Sequence, residues 1–75
     1  MCMVFAAERN GVIVAISPEL GTDFAGQEWF RALGSTARGA SLVVLDLAEG
    51  ESPSLGDAID VDPDGVATLL QEGRE

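Results

Sequence analysis

The chain contains no histidine and no lysine, and its one cysteine is Cys2. Each absence removes a chemistry. Without histidine there is no Ser-His-Asp or Cys-His arrangement for nucleophilic catalysis. A single cysteine rules out a disulfide within the chain and leaves zinc without its usual ligands. No apolar run approaches the ~20 residues that cross a bilayer. The opening residues, MCMVFAAERNG, lack a positively charged leader region. These absences point to a cytosolic protein that is not an enzyme. No catalytic residue, metal ligand or cofactor is assigned. Cys2 itself reads as a small buried apolar residue at the head of a strand.

Positive charge is the scarcest property. Arg9, Arg31, Arg38 and Arg74 are the only bases against 13 acids, giving a net charge of -9. Between Gly39 and Gly73 stand Asp46, Glu49, Glu51, Asp57, Asp60, Asp62, Asp64 and Glu72, with no base among them. Such a surface repels phosphate, which argues against direct nucleic-acid binding. It attracts a basic surface, including one that ordinarily holds DNA or RNA. Solubility, or adaptation to salt, is the plainer use of the same charge. The chain has 75 residues, enough for one domain, 1–75. A domain of that size buries only about 60–65% of its unfolded-chain surface. A partner, or a second copy in a homodimer, would add stability.

What is present suggests an α+β domain. CMVFAAE and VIVAI flank Asn10-Gly11, the strongest short hairpin signal, so strands are expected at about 2–8 and 12–17. In the second, Val12, Val14 and Ile16 share one face and Ile13 and Ala15 the other. With both faces apolar, this strand reads as central or covered on both sides. Thr22 or Asp23 is suited to cap a helix. Gly26, Trp29, Phe30, Leu33 and Ala37 fall at helical spacing on one face, and Trp29 and Phe30 read as core. The helix is expected to end near Arg38-Gly39, or a turn earlier at Gly34. ASLVVLDL is a third strand, EGESPSLGD an acidic loop, and AIDV a short edge strand. Pro63 to Glu72 reads as a second helix, with Val66, Leu69 and Leu70 on one face. The expected architecture is a small antiparallel-type sheet of three to four strands with two helices, in the order β-β-α-β-(β)-α.

Two stretches carry motifs. In DVDPDG, Asp62 suits a helix N-cap, Pro63 the first helical position, and Asp64 the positive end of the helix dipole. The longer stretch DVDPDGVATLLQE resembles the calcium loop of EF-hand and dockerin-like modules. Asp60, Asp62 and Asp64 then stand at positions 1, 3 and 5, and Gly65 at 6. It departs from that pattern at position 12, which is Gln71 and not Glu, at Pro63, and in lacking an amphipathic helix before it. Calcium binding there would raise the melting temperature at millimolar ion and be reversed by EDTA.

DFAGQEWFRALGSTARGASLVVLDL resembles the switch II region of small GTPases and the strand after it. The resemblance, over about a third of the chain, places Asp23 at the magnesium-linked Asp, Gly26 at the γ-phosphate sensor and Gln27 at the water-positioning glutamine. GTPase activity does not follow. The chain has no G-x-x-x-x-G-K-[ST] loop and no guanine-reading N-K-x-D.

The reading that remains is a small acidic inhibitor. Asp46, Glu49, Glu51, Asp57, Asp60, Asp62 and Asp64 would form one anionic face that docks on a basic, nucleic-acid-binding surface of a partner. Its size and charge are similar to those of phage-encoded DNA mimics that block restriction or CRISPR complexes, and such a protein would act in the host cytoplasm. The alternative is a regulatory or structural subunit, antitoxin-like or homodimeric. Under that alternative, neutralising the acids would matter little and light scattering would show a dimer.

Overall fold

The computed structural model describes residues 2–18 and 23–70, apart from the side chains at 2 and 23–25. The two apolar runs around Asn10-Gly11 pair as antiparallel strands, β1 (Cys2–Arg9) and β2 (Val12–Ile16). Asn10 has φ 58° and Gly11 φ 82°, the left-handed pair that a two-residue turn needs to match strand twist. Glu8 holds the turn, its Oε2 accepting the Gly11 N–H at 2.7 Å. Further along, the register slips. Ala7 faces Ala15 but Glu8 faces Ile13, so Val14 is the extra residue of a β-bulge. The slip changes the phase of β2. Ile13 and Ile16 both pack into the interior, where strict alternation would have put them on opposite faces.

Helix α1 (Asp23–Ala32) follows. Gly34, at φ 60°, breaks it, and a short 3-10 turn runs over Gly34–Ala37. The helix therefore stops at the earlier of the two expected ends. Gly26 and Ala37 are buried, Trp29, Phe30 and Leu33 half-buried, and Gln27, Glu28 and Arg31 exposed. A ten-residue helix is marginal alone. It is held by laying this face over β1 and over β3 (Ser41–Leu47), while the 3-10 turn packs on β2. Phe5 of β1 meets α1 at Gly26, where a Cβ would fall 2.5 Å from the ring.

The second half departs from expectation. The segment read as a helix from Pro63 holds a turn and a strand, and its last residues, 71 and 72, lie outside the described residues. β4 (Ile59–Val61) and β5 (Val66–Leu69) form an antiparallel hairpin. Asp62-Pro63-Asp64-Gly65 is its turn, closed by Gly65 N–H donating to the Asp62 carbonyl at 3.0 Å, with Gly65 at φ 86°. Asp, Pro and Gly at the first, second and fourth places are what a type I turn followed by a left-handed residue favours. The residues that would start a helix start this turn equally well, and Gly65 with β-branched Val66 and Thr68 carries the chain into extended structure. β5 then runs parallel to β3, Val44 facing Val66 and Leu45 facing Ala67. Among the described residues the sheet thus has five strands, in the order β2-β1-β3-β5-β4, with one α-helix and one 3-10 turn. The expected antiparallel-type sheet of three to four strands with two helices is not the fold.

The ends of that order meet. Ile13 N–H donates to the Asp57 carbonyl at 3.0 Å, Gly56 N–H to the Ile13 carbonyl at 2.8 Å, and Ile59 N–H to the Gly11 carbonyl at 2.9 Å. The sheet therefore curls into a partly closed barrel. Every strand sends an apolar side chain inside: Ala6, Ile13, Val43, Leu45, Leu47, Ile59 and Ala67 form the interior cluster. β2, read as central or covered on both sides, is not central: it is an edge that closes against 56–59, with the interior on one face and the 3-10 turn packed on it. No helix among the described residues is long and apolar enough to cross a membrane.

Gly26→Ala tests the helix-to-sheet contact. Helix propensity would gain up to about 1 kcal/mol, and overpacking against Phe5 would cost about 1–3 kcal/mol. Urea denaturation should show net destabilisation, and Phe5→Leu in the same chain should recover part of it.

Candidate functional site

Alternation along β3 buries Val43, Leu45 and Leu47 and turns Leu42, Val44 and Asp46 to the outer face. Met3 of β1 stands directly opposite Asp46. Since Leu45 faces Ala67 in parallel register, the next place pairs Asp46 with Thr68. Thr68 in turn faces Asp60 of β4. Met3, Asp46, Thr68 and Asp60 therefore form one row across the outer face. The neighbouring row is Phe5, Val44 and Val66, and it ends at Asp62, whose N–H donates to the Val66 carbonyl at 2.9 Å. Helix α1 covers the Phe5 end, through Gly26. Thr68 and Asp60 are exposed and Asp46 is half-buried.

Beside Asp46 the surface dips. A depression of about 250 Å³ is lined by Asp46, Ala48, Glu51, Thr68 and Leu69. Two carboxylates and a hydroxyl on an apolar floor suit a guanidinium or ammonium group. A second groove, about 370 Å³, lies between α1 and Leu42 and carries Gln27 and Arg31. Gln27 and Gly26, placed at catalytic positions by the GTPase resemblance, thus belong to a helix packed on a sheet. The capping roles read for Thr22 and Asp23, and the side chain of Cys2, lie outside the described residues.

The seven acids divide by what their oxygens do. Glu51 accepts the Ala48 N–H at 2.7 Å, and Asp57 Oδ2 accepts the Ser54 N–H at 2.9 Å. Asp62 Oδ1 accepts two amides, from Asp64 at 2.9 Å and Val66 at 3.0 Å. These carboxylates hold the turns that carry them. The side-chain carboxylates of Asp46, Glu49, Asp60 and Asp64 make no hydrogen bond or ion pair among the described residues. Asp46, Asp60 and Asp62 share the outer face, and Glu51 joins Asp46 at the depression. Glu49 lies in the adjoining turn, Asp64 at the tip of the hairpin, and Asp57 at the closure with β2. No group of three or more acids among the described residues is arranged to hold a metal ion. In the turn that resembles a calcium loop, one Asp62 oxygen is already given to backbone amides.

Arg9, Arg31 and Arg38, the arginines among the described residues, stand elsewhere. Arg9 Nη1 donates to the Arg38 carbonyl at 2.6 Å, and Arg31 lies on α1. The residues of this face that the sequence did not single out are Met3 and Thr68. Thr68 was hidden by the helical reading of its segment. No family model, curated protein or solved structure matches the chain.

Asp62→Ala should destabilise the fold by about 1–2 kcal/mol, because two turn amides lose their acceptor. Asp60→Ala removes the same charge from an exposed strand position and should stay within about 0.5 kcal/mol of the parent. Parallel urea titrations measure both.

Proposed function

We propose that this protein is a non-enzymatic acidic inhibitor that binds a basic, nucleic-acid-holding surface of a partner protein and excludes the nucleic acid. The reading rests on charge. The chain carries a net charge of -9, and its second half offers acids with no base up to Gly73. The observation that carries it furthest is that Asp46 and Asp60 stand in one row of the outer face without a counter-charge among the described residues. The arginines at 9, 31 and 38 belong to the β1–β2 turn, the helix and the segment after it.

The mechanism follows from the chemistry. The acids attract a Lys/Arg groove over a Debye length of about 8–10 Å and speed encounter. Carboxylates then occupy places where phosphates would sit. Apolar contacts around them slow dissociation. A protein with this role would work in the cytoplasm, that of the host if it is carried by a phage. Restriction enzymes and CRISPR complexes are the class of partner that this chemistry suits.

Immobilised protein exposed to cell lysate should retain basic nucleic-acid-binding proteins at 50 mM salt and lose them at 500 mM. Added DNA should compete. Replacing Asp46, Asp60, Asp62 and Asp64 with Asn should lower the association rate at least tenfold. Partners that are not basic, or retention indifferent to salt, would overturn the reading.

A further inference from the structure

The acids alone do not say what part of a partner they meet. The sheet does. The described helical segments lie over β1, β2 and β3, and the outer side of β5 and β4 carries none of them as a packed layer. This face, which the described helical segments leave open, is not purely polar. Met3 is 45% exposed and Leu70 47%. Met3 starts the row that contains Asp46, Thr68 and Asp60. Leu70 follows Thr68 by two places, and its N–H donates to the Ala58 carbonyl at 3.0 Å, which continues the β5–β4 pairing and keeps Leu70 on the same side. Val44 and Val66, both half-buried, fill the next row. Apolar side chains therefore surround two carboxylates that have no partner.

We infer that the outer face of β3, β5 and β4 is a docking surface for an arginine-bearing protein segment, with one guanidinium seated between Asp46, Glu51 and Thr68. The inference rests on the reading above and narrows it to one face and one kind of contact. Charge complementarity selects the occupant. A second copy of this chain would bring another -9 against the same face, and like charges placed opposite one another are repelled. A nucleic acid is repelled for the same reason. An arginine fits both parts of the surface. Its planar fork matches carboxylates in a bidentate manner, and its methylene stem lies on apolar neighbours such as Met3 and Leu69. Lysine supplies a compact charge without the fork, so it should bind more weakly. The acids outside this face have different duties: Asp57 caps its own turn at the barrel closure, and Asp64 sits at a hairpin tip.

The test uses two synthetic peptides, one alternating arginine with leucine and one alternating lysine with leucine, titrated into the full chain and followed by amide NMR. The expected result is a saturable set of shifts confined to Met3, Val44–Ala48, Ala58–Asp60 and Val66–Leu70, with the arginine peptide several-fold tighter. Asp46→Asn, and separately Met3→Ser with Leu70→Ser, should each weaken that peptide about tenfold. Asp57→Asn and Leu55→Ser, the latter an exposed leucine of the turn that leads to the barrel closure, should change affinity less than twofold, and circular dichroism confirms which variants remain folded. Shifts centred on α1, or equal losses from Asp46→Asn and Asp57→Asn, would overturn the assignment of this face. So would a dimer in analytical ultracentrifugation that Met3→Ser with Leu70→Ser dissolves. If a natural basic partner is retained in a salt-sensitive manner but is unaffected by Asp46→Asn and by Met3→Ser with Leu70→Ser, the inhibitor reading survives and this inference fails. Loss of every basic partner ends both.

Discussion

The closure between Gly11–Ile13 and Gly56–Ile59 is the constraint on which the molecule depends. A chain this short, with a single ten-residue helix among its described residues, has too little helical surface to cover both faces of a sheet. Curling lets the sheet cover one face with itself. The concave side becomes an interior to which all the strands contribute, centred on Ile13 and Leu45, the largest fully buried side chains. The helix is then free to cover part of the convex side. The bulge at Val14 serves the same end, because added local twist brings β2 round and returns Ile16 to the interior.

That economy explains where the acids can be. Among the described residues the interior holds no charged side chain, and the buried polar residue outside it, Ser17, donates its N–H to the Phe5 carbonyl at 2.8 Å. Charge is left to the turns and strand ends, to α1 and to the convex face. In the turns part of it is used locally. Glu8, Glu51, Asp57 and Asp62 each accept amide hydrogens that a tight reversal leaves without partners. Part of the negative charge is therefore architecture, and counting acids overstates what is free for a partner. Asp46 and Asp60 are different. They are strand residues whose carboxylates have no local use, on a face with exposed methionine and leucine.

Much of the first half was legible because its signals are local. Asn10-Gly11 demands a left-handed pair, and the apolar run SLVVLDL marks β3. The apolar face of α1 follows from helical spacing, and Gly34 was one of its two readable ends. The second half was misread at a point of real ambiguity. Asp-Pro-Asp opens a helix or a type I turn with the same hydrogen bonds, and Val66, Leu69 and Leu70 satisfy a helical period as well as a short strand. Gly65 held the discriminating information. A glycine at the fourth place of the turn invites positive φ, which a helix at that position does not use. The acidic site was legible as a list of residues, and only part of that list converges.

Residue chemistry and near-neighbour order were enough to establish the charge imbalance, the lack of histidine and lysine chemistry, the first hairpin and the helix face. These depend on side-chain type and on contacts a few residues apart, where the chain has little choice. Which strands pair was settled in three dimensions. The parallel joining of β3 to β5 and the return of β2 onto 56–59 are long-range contacts, chosen by how the whole apolar set can be enclosed at once. That choice is also what puts Asp46 beside Thr68 and Asp60, residues from distant parts of the chain that no spacing rule connects.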